Sequence, residues 1–138
     1  MNWIVAGLIG GVVAWLADWV LWGKVFTKGM DLFMMQMSPD EMKKFMGPAM
    51  VKSFLLAIVF GLYFTFFYAQ IKPTLWVQGG GWMAGMEFGT ALWLGTIALQ
   101  TLGSGVWYIK ARPLLMATFW AWLIRMAVVG LVVGLLLK

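Results

Sequence analysis

The chain is a series of four long apolar segments separated by short polar stretches. A helix needs about 20 mostly apolar residues to cross a bilayer, because lipid offers its backbone no hydrogen-bonding partner. Each segment reaches that length, and polar and apolar residues do not alternate as they do in a membrane strand. The predicted spans cover residues 3–22, 51–70, 82–104 and 113–137. The pattern predicts an all-α membrane protein, in which a four-transmembrane-helix bundle occupies residues 1–138 as a single domain.

The composition agrees with this class. Of 138 residues, 63% are hydrophobic and only 11% are charged, a balance that excludes an ordinary water-soluble domain. The chain has no cysteine and no histidine. It therefore lacks disulfides, thiolate metal sites, and the side chain that most often serves as general base or metal ligand. We expect neither an enzyme nor a bound cofactor or metal.

A short helix is predicted between the first two spans. A capping box runs from Ser38 to Glu41, and its proline suits the first position of a helix. Residues 39–47 then carry apolar side chains at helical spacing on one face, with Lys43 and Lys44 placed to meet lipid phosphate groups. This pattern predicts a short amphipathic interfacial helix between helices 1 and 2; an ordinary solvated loop is the alternative.

Basic residues predict the orientation in the membrane. Six lie in the first and third loops: Lys24, Lys28, Lys43, Lys44, Lys110 and Arg112. The other side has only Lys72 and Lys138. The positive-inside rule then makes the first and third loops cytoplasmic and predicts a multi-pass protein of the inner cell membrane with both termini outside. The net charge of +5 is mostly this topology signal, so nucleic-acid binding is not expected.

Small residues recur every four positions in each span, which marks faces where helices approach closely in lipid. The candidate packing residues are Gly10, Ala14, Ala57, Gly61, Gly85, Gly89 and Ala121. Two interpretations stay open. The faces serve internal packing alone, or some of them bind a second copy in a homodimer or another membrane protein.

Three ionisable residues, Asp18, Glu87 and Arg125, fall within the predicted spans, where each costs free energy unless it is paired or hydrated. Arg125 lies about 18 Å from the start of its span, and Asp18 about 7 Å from the cytoplasmic end of the first. Because helical side chains lean toward their own N-terminus, these two lean toward each other. We predict an intramembrane Asp18–Arg125 ion pair. It either fixes helix register or belongs to a substrate or ion path.

Glu87 is expected about 7 Å below the outer surface, leaning away from Arg125. We predict that it is unpaired or faces outer water. Were it protonated in an apolar setting, it would be the candidate residue for proton coupling.

Five tryptophans lie deeper than membrane anchoring requires: Trp15, Trp19, Trp93, Trp120 and Trp122. They either line a pocket for a flat or cationic ligand or pack against helices and lipid.

Several stretches together resemble a family of short four-span bacterial membrane proteins known only as a domain of unknown function. They are the start MNW, WVLWGKVF from Trp19, SPDEMKKFMG from Ser38, FGTALWLGTIALQT from Phe88, and WYIKARPLLMATFWAWL entering the last helix. None is a catalytic motif. The resemblance implies a fold and a membrane location, and it carries over no activity and no functional residue.

Two functions are compatible with these observations. The first is a non-enzymatic accessory or stabilising subunit that acts through helix–helix contacts in a membrane complex. The second is a small dimeric secondary transporter or channel that uses Asp18, Glu87 and Arg125. A water-filled cavity at a carboxylate would favour transport, whereas a dry bundle with an uncovered small-residue face would favour the subunit.

Overall fold

The computed structural model describes residues 2–26 and 38–137, and these ranges contain helices and short connections but no strand. Lys28 and Lys138, used above for orientation, lie outside them. The α-helices are α1 (Trp3–Val20), α2 (Pro39–Ile71), α3 (Trp82–Trp93), α4 (Leu99–Trp107) and α5 (Arg112–Leu136). The π-helical turn Leu94–Ala98 joins α3 and α4 into one continuous helix, here called the third helix. A second π-helical turn, Leu21–Val25, extends α1.

Local sequence explains where the helices begin. The Asn2 side chain accepts the Ile4 N–H at 2.9 Å and caps α1. At the start of α2 the predicted capping box is present: the Ser38 hydroxyl accepts the Glu41 N–H, and the Glu41 carboxylate accepts the Ser38 N–H. These contacts satisfy amides that otherwise have no partner at a helix N-terminus.

The separate interfacial helix predicted over 39–47 is replaced by the first part of α2, which runs without a break to Ile71. The predicted short helix stopped directly before Pro48, but this proline lies inside α2. Proline removes one amide and crowds the carbonyl of Lys44 one turn earlier. Both residues are exposed, so that carbonyl keeps access to solvent and the helix continues. At 33 residues, α2 is about 50 Å long, well beyond the ~30 Å hydrocarbon core.

The connection between α2 and the third helix depends on glycine. Gly79, Gly80 and Gly81 have φ values of 87°, 76° and 86°, in the left-handed region that side chains disfavour. This run lets the chain turn directly before α3 begins at Trp82.

Three helical stretches are long and apolar enough to cross a membrane: Trp3–Val25, Pro39–Thr74 and Ile109–Leu136. The third helix is not among them. It carries Glu87 and Gln100 together with several glycines and threonines, which lower its apolar character. The described residues thus form an all-helical chain with four long helices, of which three have the length and composition of a membrane span.

The long helices pack as antiparallel neighbours. α1 packs most extensively against α2, α5 against the third helix, and α1 also contacts α5. The core contains Phe64 and Tyr68 of α2, Phe88 of α3, and Val129 and Val133 of α5. Phe64 and Phe88, with ring centroids 4.9 Å apart, connect the two helix pairs. One end of the bundle therefore gathers the end of α1, the starts of α2 and α5, and the end of α4.

Candidate functional site

An ion pair joins α1 to α5. One terminal nitrogen of Arg125 lies 2.9 Å from a carboxylate oxygen of Asp18. Nearer the start of α1, Gly10 lets α1 pack closely on α5, since a Cβ there would lie 3.1 Å from a methyl carbon of Val133 in α5. The antiparallel packing of α1 and α5 brings the two charged residues to the same level. The structure thus brings together the two residues that the sequence paired.

Aromatic rings enclose the guanidinium. Its central carbon lies 4.5 Å from the Phe60 ring centroid and 4.2 Å from that of Trp122. Rings at these distances attract a cation through their π-faces, more strongly where water is excluded. The Arg125 side chain is 8% exposed, whereas that of Asp18 is 31% exposed. The arginine is therefore held inside the bundle, and the carboxylate lies at its edge.

Two buried polar atoms have no hydrogen-bonding partner among the described residues: Nε of Arg125 and the hydroxyl of Tyr68. A buried donor without a partner costs roughly 1–3 kcal/mol. The guanidinium is therefore stabilised by Asp18 and the two rings, with one N–H left unpaired.

Glu87 lies apart from this pair and supports the glycine connection. Its two carboxylate oxygens accept the backbone N–H groups of Trp76 and Val77, each at 2.8 Å. Glu87 is half-buried and, within the described ranges, lies in no ion pair, but it is bound to backbone amides and is not simply solvated. These bonds hold the segment that follows α2 against the start of the third helix.

Glycines form the closest helix contacts. At the α1–α2 interface, a Cβ on Gly11 would lie 2.7 Å from the Ile58 Cα, and one on Gly61 would overlap the backbone of Gly7 and Gly11. Real Cβ atoms essentially never approach so closely, so these sites accept only glycine without separating the helices.

The third helix and α5 meet in the same way. A Cβ on Gly85 would overlap the Gly130 carbonyl oxygen, and one on Gly89 would overlap that of Met126. All seven small residues proposed for packing are buried. On α5, the glycines Gly130 and Gly134 both lie against the third helix.

The tryptophans do not gather around one pocket. Trp93 is buried and donates its indole N–H to the Phe119 carbonyl at 2.9 Å, while Trp122 packs on Phe60. Trp15 donates to the Ser53 hydroxyl at 3.1 Å. The remaining two point outward: Trp19 is 63% and Trp120 48% exposed.

The remaining predicted residues, Lys43 and Lys44, are exposed on the first part of α2. Phe60 is the site residue that sequence reasoning missed. Trp122 precedes Arg125 by three residues and so shares its helix face, a relation visible in the sequence. Phe60 belongs to a different helix, and no sequence spacing relates it to Arg125.

No group of three or more metal-binding side chains of the kinds His, Cys, Asp and Glu occurs in residues 2–26 and 38–137. Comparisons of the chain with protein-family models, with curated proteins and with solved structures find no match.

Proposed function

We propose that this chain is a four-span, non-enzymatic membrane protein that acts through helix–helix contacts, as an accessory or stabilising subunit of a membrane complex. The fourth span is the third helix. It lies antiparallel to α5: Gly85 lies against Gly130, and further along the helix Trp93 packs on Phe119. Because α5 belongs to a stretch with the length and composition of a span, the third helix beside it lies at the same depth.

The observation that carries the proposal is that the two carboxylates within the predicted spans already have internal partners. Asp18 binds Arg125, and Glu87 binds the amides of Trp76 and Val77. Neither is left over for a substrate or a proton. The outward helix faces are largely apolar, as contacts with lipid or other membrane helices require.

The distribution of charge supports the orientation predicted from the sequence. In it the chain lies in the inner cell membrane, and the end of α1 and the start of α2 are on the cytoplasmic side. Lys24, Lys43, Lys44, Lys110 and Arg112 lie near that end of the bundle. Lys72 lies at the other end, where its ammonium donates to the Leu137 carbonyl at 2.9 Å. In this orientation Lys43 and Lys44 lie where α2 leaves the bilayer and meet lipid phosphate groups.

A small dimeric secondary transporter or channel is the second candidate. It is favoured by the 31% exposure of the Asp18 side chain, since the ion pair is not fully enclosed on that side. In that function Asp18 and Arg125 exchange partners with a passing ion, and Glu87 moves a proton near the outer surface.

Crosslinking in native membranes followed by purification in a mild detergent tests the subunit role. We expect a defined complex of fixed stoichiometry that contains this chain. The same complex should form with a folded Asp18→Asn, Arg125→Gln double variant. Reconstitution into proteoliposomes is the matched experiment. Ion flux that is carried by the purified chain alone, and that Asp18→Asn abolishes while leaving the fold intact, would contradict the subunit role and support transport.

A further inference from the structure

The connection between the third helix and α5 presents large apolar side chains outward. We call residues 107–112 the basic connection. Trp107, Tyr108 and Ile109 are 82%, 66% and 64% exposed. No residue from 102 to 116, a stretch that the structure describes throughout, is buried. These side chains therefore lie outside the core and meet whatever surrounds the bundle at this level.

The basic connection also carries positive charge without an acidic partner. Lys110 and Arg112 are exposed, and within residues 2–26 and 38–137 neither belongs to an ion pair. The sequence after Glu87 contains no further Asp or Glu. The Nε of Arg112 donates to the Gly105 carbonyl at 2.8 Å, which holds the guanidinium at the end of the third helix. Its terminal nitrogens remain as donors in the fork geometry that matches a phosphate group.

The surface of the connection forms an open depression of about 380 Å³, lined by Trp107, Tyr108, Ile109, Lys110 and Ala111. Aromatic and aliphatic side chains lie there beside one ammonium group, so the depression can contact an apolar chain and an anionic group together. Because it is open, it would bury little of a free solute and hold it weakly. A lipid is different, since the bilayer itself keeps the lipid headgroup at this level and raises its effective concentration.

We propose that the basic connection binds one anionic phospholipid of the cytoplasmic leaflet. The lipid phosphate contacts Lys110 and Arg112, and the adjoining acyl chains lie against Trp107 and Ile109. Tryptophan and tyrosine are typical of this boundary between hydrocarbon and water. The cytoplasmic leaflet carries negative charge, which complements the two basic residues. The inference rests on the proposed function, because it requires the bundle to lie in the bilayer with this connection at the cytoplasmic surface.

Native mass spectrometry in a neutral detergent tests the proposal, because a neutral micelle lacks the surface potential that attracts basic residues to a membrane. The probes are phosphatidylglycerol, which is anionic, and phosphatidylcholine, which is zwitterionic, with identical acyl chains. We expect the chain to bind one phosphatidylglycerol more tightly than phosphatidylcholine. Lys110→Gln should weaken phosphatidylglycerol binding about five-fold, the contribution of one basic residue at an anionic lipid surface, and leave phosphatidylcholine binding unchanged.

Lys52→Gln on α2 is the matched control. Lys52 is also exposed and lies in no ion pair of the described ranges, so its variant loses the same charge at a different place. We expect this variant to bind both lipids as the parent chain does. The thermal unfolding temperatures of the two variants should equal that of the parent chain, because neither lysine is part of the core.

Equal binding of the two lipids by the parent chain, or an equal loss in Lys110→Gln and Lys52→Gln, would overturn the lipid site. Displacement of bound phosphatidylglycerol by inorganic phosphate would also overturn it, because the ligand would then be a free anion. The proposed function survives each of these results. Release of the chain from native membranes by alkaline carbonate would instead defeat the proposed function, and the lipid site with it.

Discussion

At the scale of single residues, Arg125 has the most demanding environment. It is a buried cation that depends on one carboxylate, and that carboxylate lies at the edge of the bundle. Removing one partner of a buried pair leaves an uncompensated charge, whereas replacing both with apolar groups is often neutral. The pair therefore fixes how α1 meets α5 more than it adds net stability.

We predict that Asp18→Asn lowers the free energy of unfolding in detergent by about 3 kcal/mol, the lower end for a buried pair because Asp18 is partly exposed. The double variant Asp18→Leu, Arg125→Leu should recover most of that loss. Denaturant titration of the purified variants measures both values. Single variants as stable as the parent chain would show that the pair does not hold the helices in register.

A second prediction concerns Glu87. In Glu87→Gln one acceptor oxygen becomes an NH₂ group facing a backbone N–H, so one charge-assisted hydrogen bond is lost. Such bonds contribute about 1.5–3 kcal/mol, so amide exchange at Trp76 and Val77 should accelerate by roughly ten- to a hundred-fold. Glu41→Gln, at the distant start of α2, serves as control. Unchanged protection at Trp76 and Val77 would contradict the assigned role.

At the scale of helices, the contacts divide into two antiparallel pairs, α1 with α2 and the third helix with α5. Both are built on glycine because membrane helices gain little from hydrophobicity and stabilise one another through close packing. Even the smallest substitution at such a contact, glycine to alanine, is therefore expected to separate the two helices of a pair.

We predict that Gly85→Ala destabilises the chain by about 1–3 kcal/mol, since its Cβ would overlap the Gly130 carbonyl and force α3 away from α5. Gly95→Ala, on the same continuous helix but in open space, should be neutral or stabilise the monomer by up to about 1 kcal/mol through helix propensity. Thermal unfolding in one detergent compares the two. Equal effects would mean that the third helix and α5 do not meet at Gly85.

At the scale of the whole molecule, the proposed orientation rests on the basic residues that lie at one end of the bundle. In right-side-out vesicles, an impermeant maleimide is expected to label Gln78→Cys, in the connection after α2. Lys44→Cys should react only once the membrane is opened, because the proposed orientation puts the first part of α2 on the cytoplasmic side. The reverse pattern would invert the proposed topology.

The sequence by itself determined the approximate positions of four long apolar helices, because continuous apolar runs of about 20 residues have the length of a membrane span. It did not determine that the predicted short helix and the second span form one helix, α2. It also determined the capped start of α2, because the capping box is local. Pro48 shows the limit of such reasoning. Proline disfavours a helix interior, but whether it ends a helix depends on whether the carbonyl it releases can find another partner.

The tertiary structure alone decided which helix faces meet. The small residues that recur every four positions predicted that Gly10, Ala14 and Gly61 approach other helices. They could not predict which helix each one meets, because every predicted span carries such residues. The tertiary structure also decided that Phe60 lies on the Arg125 guanidinium and that Glu87 binds the amides eleven and ten residues before it. These contacts join residues on different elements. Their positions follow from how the helices pack, and the spacing of residues within one helix does not predict which residues of other helices they contact.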